Sequence, residues 1–128
     1  MKVKILDKAF YFDTYALVEI AQGKQSYTKY REGIKIITNK FNLMELAYFL
    51  FRVNQADKVP LIFKDYLKYN VEPSINALVE ATKFKFIHRK MRLSYIDCLG
   101  YMMAKENKVK FLTGDEKFKG MNNVEFVK

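Results

Sequence analysis

The sequence predicts an α/β fold in which a parallel sheet is flanked by helices. Short apolar runs alternate with longer stretches of helical periodicity along the 128 residues, a pattern typical of βαβ units. Half of the residues are hydrophobic, which is enough for one well-filled core. No repeat, low-complexity stretch or Gly/Ser-rich linker interrupts the chain, so residues 1–128 are expected to form a single domain.

Two strands, each followed by a helix, are predicted in the first part of the chain. The apolar residues 9–12 are typical of a buried parallel strand, and a helix is expected over residues 14–21. The β-branched run at residues 34–37 predicts the second strand. Over residues 43–53 apolar side chains recur at i, i+3, i+4 and i+7, which indicates the second helix.

Three further helices and two strands are predicted in the rest of the chain. Helical periodicity covers residues 56–68 and 74–90. Residues 94–107 are apolar on several sides of a helix, which indicates deep burial or an interface with a partner. Strands are expected at residues 109–112 and 124–127, with a turn-rich segment at 114–123 between them.

The composition favours a cytoplasmic protein with a polyanionic partner. The formal net charge is +9, and nucleic acid is the commonest polyanion; a solvated lysine-rich surface is the alternative. Cys98 is the only cysteine, which favours a reducing compartment. No apolar run is long enough for a membrane span, and the N-terminus turns acidic at Asp7, too early for a signal peptide.

Acidic residues follow successive strands of the predicted sheet. Asp13 follows the first strand, Glu45 lies early in the helix after the second strand, and Asp115 follows the third strand. Ligands of open α/β sheets bind outside the carboxyl ends of the strands. These three acids are therefore expected in one crevice, which Asp97 would join if the helix at residues 94–107 packs at the same edge.

Capping of helices is the structural alternative for each acid. Asp13 and Asp115 stand at positions favourable for N-caps. Two spacings match or approximate a capping box: Ser94 with Asp97, and Asn42 with Glu45. Capping does not require acids after three separate strands, and desolvated carboxylates at one edge repel each other unless a cation lies among them.

The chemistry of the candidate ligands indicates which cation that is. All four candidates offer carboxylate oxygens and none is a His or Cys, a set that suits Mg²⁺ or Mn²⁺ rather than zinc or copper. In a strongly basic protein, such an ion suggests cleavage of phosphodiester bonds.

Four motifs resemble, in order and spacing, the acidic motifs of PIN domains, particularly the VapC-type toxins of archaeal toxin–antitoxin pairs. They are FDTYAL at residues 12–17, LMEL at 43–46, LSYID at 93–97 and FLTGDEKF at 111–118. The resemblance implies a three-layer α/β/α fold with a parallel sheet of four to five strands. It also implies Mg²⁺- or Mn²⁺-dependent endoribonuclease activity on tRNA, rRNA or mRNA.

The resemblance also assigns roles to residues and implies partners. Asp13, Glu45 and Asp97 match the three core metal-binding acids, Asp115 matches the fourth, and Thr113 matches a hydroxyl often found beside it. Members of the family commonly form homodimers, and an antitoxin segment inhibits them by occupying the acidic cleft.

Two positions depart from the pattern of the family. Tyr15 stands where an Asn is common, which removes a small polar group from the edge of the cleft. Lys117 stands where a further acid is common, which weakens the case for a second tightly held metal.

The acid-free segment at residues 83–92 is a candidate RNA-binding ridge. Helical spacing places Phe84, Ile87 and Met91 on a core stripe. The candidate RNA contacts are Lys85, Arg89 and Arg92 on another face, together with Lys117; a solvated helix face is the alternative.

Three functional hypotheses follow. The first is a metal-dependent endoribonuclease, the toxin of a toxin–antitoxin pair. The second is a PIN-like module, catalytically weak or inactive, that binds RNA or a protein. The third is a structural domain whose acids only cap helices. Binding of Mn²⁺ and cleavage of RNA distinguish the first from the others.

Overall fold

Four parallel strands form the sheet of this structure, a computed structural model that describes residues 8–128. The strands are β1 (Lys8–Phe12), β2 (Ile34–Ile37), β3 (Lys110–Thr113) and β4 (Val124–Phe126), in the order β2-β1-β3-β4. All neighbouring pairs are parallel, so the predicted sheet is confirmed. Residues 1–7, which include the segment used to argue against a signal peptide, lie outside the described residues.

Five α-helices connect and cover these strands. They are α1 (Thr14–Ala21), α2 (Lys40–Arg52), α3 (Val59–Tyr66), α4 (Ile75–Ile87) and α5 (Tyr95–Glu106). Among residues 8–128, no helix is both long enough and apolar enough to cross a lipid bilayer.

The predicted helical segments differ from the structure in four places. Helix α2 begins at Lys40 rather than at residue 43. A 3₁₀ helix at Gln25–Tyr30 was not predicted. The segment at residues 56–68 is a regular helix only from Val59, because Pro60 favours the first turn, and short 3₁₀ turns flank it. Helix α4 ends at Ile87 rather than at residue 90, and a 3₁₀ turn and Arg92 in the left-handed region (φ 59°) follow.

Side chains on the two faces of the sheet form separate hydrophobic cores, because successive residues of a strand point to opposite faces. On one face, Tyr11 and Phe111 pack with residues of α4 and α5. On the other face, Phe10, Phe12 and Leu112 pack with residues of α1, α2 and α3. The fold is thus a three-layer α/β/α arrangement, as predicted.

Helix α5 lies between α4 and the central strands β1 and β3. Its Cys98, Leu99, Met103 and Ala104 are all buried, so burial within the chain accounts for its apolar residues on several sides. The approach is closest at Gly100, where a Cβ atom would lie 2.9 Å from Cε1 of Tyr11 and 3.1 Å from Cε1 of Phe111.

We therefore expect Gly100→Ala to destabilise the fold. Alanine favours a helix over glycine by about 1 kcal/mol, but overpacking against two buried rings costs roughly 1–3 kcal/mol. Urea unfolding followed by circular dichroism should show a net loss of up to about 2 kcal/mol. A gain in stability would contradict the close packing of α5 on the sheet.

Candidate active site

Asp13 lies at the carboxyl end of β1, in the centre of the sheet. Its N–H donates to the carbonyl oxygen of Leu112 on β3 at 3.1 Å, and its side chain is only 3% exposed. The hydroxyl of Thr113, itself buried, donates to Oδ2 of Asp13 at 2.6 Å. Asp13 stands at the N-cap of α1 but its side chain makes no capping bond, so capping does not account for this acid.

Asp97 and Asp115 both accept capping hydrogen bonds, Asp97 at the start of α5 and Asp115 at the short 3₁₀ turn Glu116–Phe118. Ser94 and Asp97 form the predicted capping box at the start of α5, with both hydrogen bonds at 3.0 Å. Asp115 accepts from the N–H of Lys117 at 3.0 Å, and its own N–H donates to Oγ1 of Thr113 at 3.1 Å. In residues 8–128 these capping bonds engage only one carboxylate oxygen of each acid, Oδ2 of Asp97 and Oδ1 of Asp115.

Glu45 is held by a hydrogen-bond chain that begins inside the sheet. The hydroxyl of Tyr11 donates to Oδ1 of Asn42 at 2.5 Å, and Nδ2 of Asn42 donates to Oγ1 of Thr14 at 2.9 Å. Thr14 in turn donates to Oε1 of Glu45 at 2.5 Å. This chain connects β1, α1 and α2, and it orients the Glu45 carboxylate toward the end of β1.

Sequence reasoning missed Asn42 in this role. The approximate capping box of Asn42 with Glu45 is wrong, because α2 begins earlier and its N-cap is Asn39, which accepts from the N–H groups of Phe41 and Asn42. Asn42 is fully buried on the face of α2 that carries Leu43 and Leu46. A polar residue within that apolar stripe was the available signal, since buried amides require hydrogen-bond partners.

The four carboxylates come from different elements but share one electrostatic environment. Burial raises the pKa of Asp13 to about 7, and repulsion from Asp97 and Asp115 adds to the shift. Burial and then Asp97 raise the pKa of Glu45. Burial also raises the pKa of Asp97, and Asp115 contributes to that increase. Ionising all four together is therefore unfavourable without added positive charge.

A closed metal cage is absent from the part of the chain that the structure describes. No three acidic, His or Cys side chains of residues 8–128 are grouped closely enough to enclose an ion by themselves. Mg²⁺ usually keeps several waters and binds through one or two carboxylates together with substrate phosphates. The all-oxygen donor set and the raised pKa values at this edge fit such an open site.

The candidate RNA contacts fall into two places. Nζ of Lys117 donates to the carbonyl oxygen of Arg92 at 3.1 Å, and its positive charge opposes the increase that burial causes in the pKa of Asp97. Lys85 donates to the carbonyl oxygen of Leu93 at 2.6 Å. Because α4 ends at Ile87, neither Arg89, in the 3₁₀ turn that follows, nor Arg92 shares a helical face with Lys85, so the predicted common face is wrong.

The predicted core stripe of this segment is only partly correct. Phe84 and Met91 pack against the core, but Ile87 is 59% exposed. The helix ends at Ile87, so helical spacing no longer relates this residue to Met91. His88, the only histidine, packs against the ring of Phe84 with the ring centroids 4.3 Å apart.

The chain is similar to one protein family and to two solved structures, among others. The family model for the PIN domain matches residues 10–123. A chain of a toxin–antitoxin complex from Klebsiella pneumoniae is 15% identical, with a TM-score of 0.69 over 91% of this chain and 95% of that one. A chain of VapBC2 from Rickettsia felis, bound to a DNA fragment from their promoter, is 17% identical, with a TM-score of 0.70 over 94% and 99%. No curated protein sequence matches this chain.

We expect Asp13 to destabilise the metal-free protein as the pH rises. Its pKa is about 7 when folded and 3.8 when exposed, so the folded state holds more protons between these values and stability falls from about pH 4 to pH 7. The full shift corresponds to an upper bound of roughly 4 kcal/mol. Urea unfolding in EDTA should therefore show that Asp13→Asn stabilises the protein at pH 8, with a gain that shrinks toward pH 4.

Asp65→Asn serves as the control, because it removes the same charge from an exposed position on α3. If the free energies of unfolding of Asp13→Asn and the unmodified protein differed by the same amount from pH 4 to pH 8, the raised pKa of the buried Asp13 would be contradicted.

Proposed function

The chain belongs to the PIN-domain family, and from this premise we propose that it is a single-domain, divalent-metal-dependent endoribonuclease. It hydrolyses phosphodiester bonds in RNA such as tRNA, rRNA or mRNA. The observation that carries the proposal is the buried carboxylate of Asp13, held by Thr113 at the carboxyl end of the central strands, with Asp97 and Asp115 near enough to raise its pKa further. A buried carboxylate in such surroundings is the arrangement expected where a cation binds.

Asp13, Glu45, Asp97 and Asp115 are the residues that would hold Mg²⁺ or Mn²⁺. When bound, the ion would activate a water and stabilise negative charge on the phosphate. The chain itself orients the ligands, since Thr113 fixes Asp13 and Thr14 fixes Glu45 through short hydrogen bonds. These hydroxyl groups act as positioning residues, because second-shell hydrogen bonds set the direction of ligand oxygens.

Positive charge at the rim of the cleft supports RNA as the substrate. Lys117 is exposed and influences Asp97, so its ammonium group is near enough to meet a phosphate that approaches the acids. Its bond to the Arg92 carbonyl engages only one of three donors. Lys85, Arg89 and Arg92 add charge on the adjoining segment and complete the proposed RNA-binding set.

An antitoxin protein is the proposed regulator, and an exposed apolar stripe on α2 supports it. Phe41, Met44, Tyr48 and Phe51 recur at helical spacing and are 37%, 55%, 68% and 58% exposed. Such a stripe marks an interaction surface on a soluble domain. Glu45 lies between Met44 and Tyr48 in sequence, so a segment covering this stripe would reach the acidic cleft.

We also propose that the chain forms a homodimer in the cytoplasm. The apolar residues of α5 are buried within the chain, so they give no support for a dimer. The support comes from the N-terminal half of α4, where Ile75, Leu78 and Val79 are 75%, 42% and 58% exposed. Cys98 is buried and forms no disulfide, which agrees with a reducing compartment.

A catalytically weak module that binds RNA or a protein is the alternative, and it is favoured by the lack of a closed metal cage in residues 8–128. Calorimetric titration with Mn²⁺ separates it from the nuclease. If the chain bound RNA without cutting it, and titration with Mn²⁺ released no heat, the binding module would be established.

Asp97→Asn should abolish cleavage while keeping the fold, because asparagine retains a capping oxygen but loses the charge. We expect a loss of at least about 100-fold, as is usual when one electrostatic contact to a reacting group is removed. The measurement is the rate of cleavage of end-labelled total tRNA and ribosomal RNA in Mn²⁺ or Mg²⁺, with unfolding curves as the check on folding. Asp65→Asn, an exposed acid on α3, is the control and should cleave at the normal rate.

Equal cleavage by the unmodified chain and Asp97→Asn would exclude the proposed site. Failure of the unmodified chain to cut any of these RNAs in either metal would overturn the nuclease proposal.

Lys117→Met should shift metal and RNA binding in opposite directions. Removing a cation near Asp97 should tighten Mn²⁺ binding by about two- to fivefold, as expected for an exposed charge pair, and should weaken RNA binding. Calorimetry with Mn²⁺ and a fluorescence titration with labelled RNA measure the two effects. Lys119→Met, an exposed lysine two positions away, is the control; a change of both affinities in the same direction would contradict this role for Lys117.

A further inference from the structure

A cleft lined by aromatic and basic side chains lies between the C-terminal end of α4 and the start of α5. It encloses about 280 Å³ between Thr82, Lys85, Phe86, Arg89 and Tyr95. The rings of Phe86 and Tyr95 are 65% and 69% exposed. We call this cleft the aromatic subsite.

A cationic side chain lies over each ring in the aromatic subsite. Nζ of Lys85 lies 4.8 Å from the centroid of the Tyr95 ring, and Cζ of Arg89 lies 4.6 Å from the centroid of the Phe86 ring. Both cations are also tied to the backbone, Lys85 to the carbonyl oxygen of Leu93 at 2.6 Å and Arg89 to that of Phe86 at 2.9 Å. The cluster is therefore organised before any ligand arrives.

Three consecutive residues join the aromatic subsite to the acidic cleft. The carbonyl oxygen of Arg92 accepts from Lys117, that of Leu93 accepts from Lys85, and the N–H of Ser94 donates to Asp97. Consecutive Cα atoms are about 3.8 Å apart, so one short loop carries contacts to both clefts. A strand whose phosphate meets Asp97 and Lys117 would place a neighbouring nucleotide at the aromatic subsite.

We propose that the aromatic subsite stacks an unpaired base of the RNA, next to the phosphodiester that is cut. Exposed rings stack on bases of single-stranded RNA without reading sequence, and Arg89 would contact the backbone. This inference rests on the proposed function and deepens it, because it requires the cleaved position to lie in a loop or single strand.

The lining residues favour RNA over a protein segment. The aromatic subsite contains two cations and no acid, so an apolar segment that covered it would bury both charges without a carboxylate partner, which is costly. A nucleotide supplies a flat aromatic surface for the rings and an anionic phosphate for the cations. The exposed stripe on α2, in contrast, offers four apolar side chains of the kind that a protein partner covers.

The test is equilibrium binding of a short single-stranded RNA containing 2-aminopurine, measured in EDTA on an Asp97→Asn background so that no cleavage occurs. Tyr95→Leu should abolish the quenching caused by stacking and weaken binding by about tenfold, within the range for one lost base stack. Tyr95→Phe should restore both signals, because a phenyl ring can stack. Tyr69→Leu is the matched control, since Tyr69 also has a lysine over its ring, with Nζ of Lys68 5.3 Å from the ring centroid, and lies outside the aromatic subsite.

The salt dependence of RNA affinity tests the proposed contact between Arg89 and the RNA backbone. Arg89→Gln should reduce the slope of log affinity against log salt by about 0.7, the value for one phosphate contact on a single strand. An unchanged slope would remove Arg89 from the RNA contact.

Equal effects of Tyr95→Leu and Tyr69→Leu on quenching and affinity would overturn the aromatic subsite. Unchanged RNA binding by Tyr95→Leu, with a lower oligomeric mass by light scattering, would instead assign the surface to contact between copies of the chain. In either case, cleavage of RNA by the unmodified chain in Mn²⁺ would still support the proposed nuclease activity. If the unmodified chain neither bound nor cut RNA, the aromatic subsite and the nuclease proposal would both be overturned.

Discussion

A carboxylate buried at the end of the central strand is the constraint on which the rest of this structure depends. Asp13 is 3% exposed, and burial raises its pKa to about 7. The chain offsets part of this cost with the short hydrogen bond from Thr113 on β3. Placing Asp13 there requires β1 and β3 to be neighbours in the sheet, and α5 must approach closely enough to bring Asp97 to the same edge. Gly100 permits that approach.

The same constraint explains why, in residues 8–128, hydroxyl groups rather than cations donate to Asp13 and Glu45. A lysine beside Asp13 would neutralise it and occupy the place that we propose for a metal ion. Thr113 and Thr14 instead donate one hydrogen bond each and carry no charge, so they orient oxygens without satisfying the demand for a cation. The cationic groups are kept at the rim, where Lys117 and Lys85 are tied to backbone carbonyl oxygens of neighbouring residues.

Much of the fold was predictable because it depends on local patterns. The strand at residues 34–37 and the helix at residues 14–21 coincide with Ile34–Ile37 and Thr14–Ala21, since β-branched residues and helical spacing are visible in the chain itself. The end of α4 was not predictable by periodicity, because the apolar spacing of Ile87 continues beyond the point where the backbone leaves the helix. Contacts such as Tyr11 to Asn42 join residues 31 positions apart, so only the folded chain shows them.

Helix capping and metal binding were treated in the sequence as competing explanations of each acid, but the geometry allows both. Asp97 gives one oxygen to the N–H of Ser94 and Asp115 gives one to the N–H of Lys117. A carboxylate has two oxygens with about four acceptor sites. The capping bond to one oxygen therefore fixes the direction of the other oxygen and leaves it available to a cation. Asp13, which stands at an N-cap but makes no capping bond, receives its direction from Thr113 instead. Capping is thus a means by which this fold can orient a ligand, and an acid that caps a helix at the carboxyl edge of a parallel sheet remains a candidate for the site.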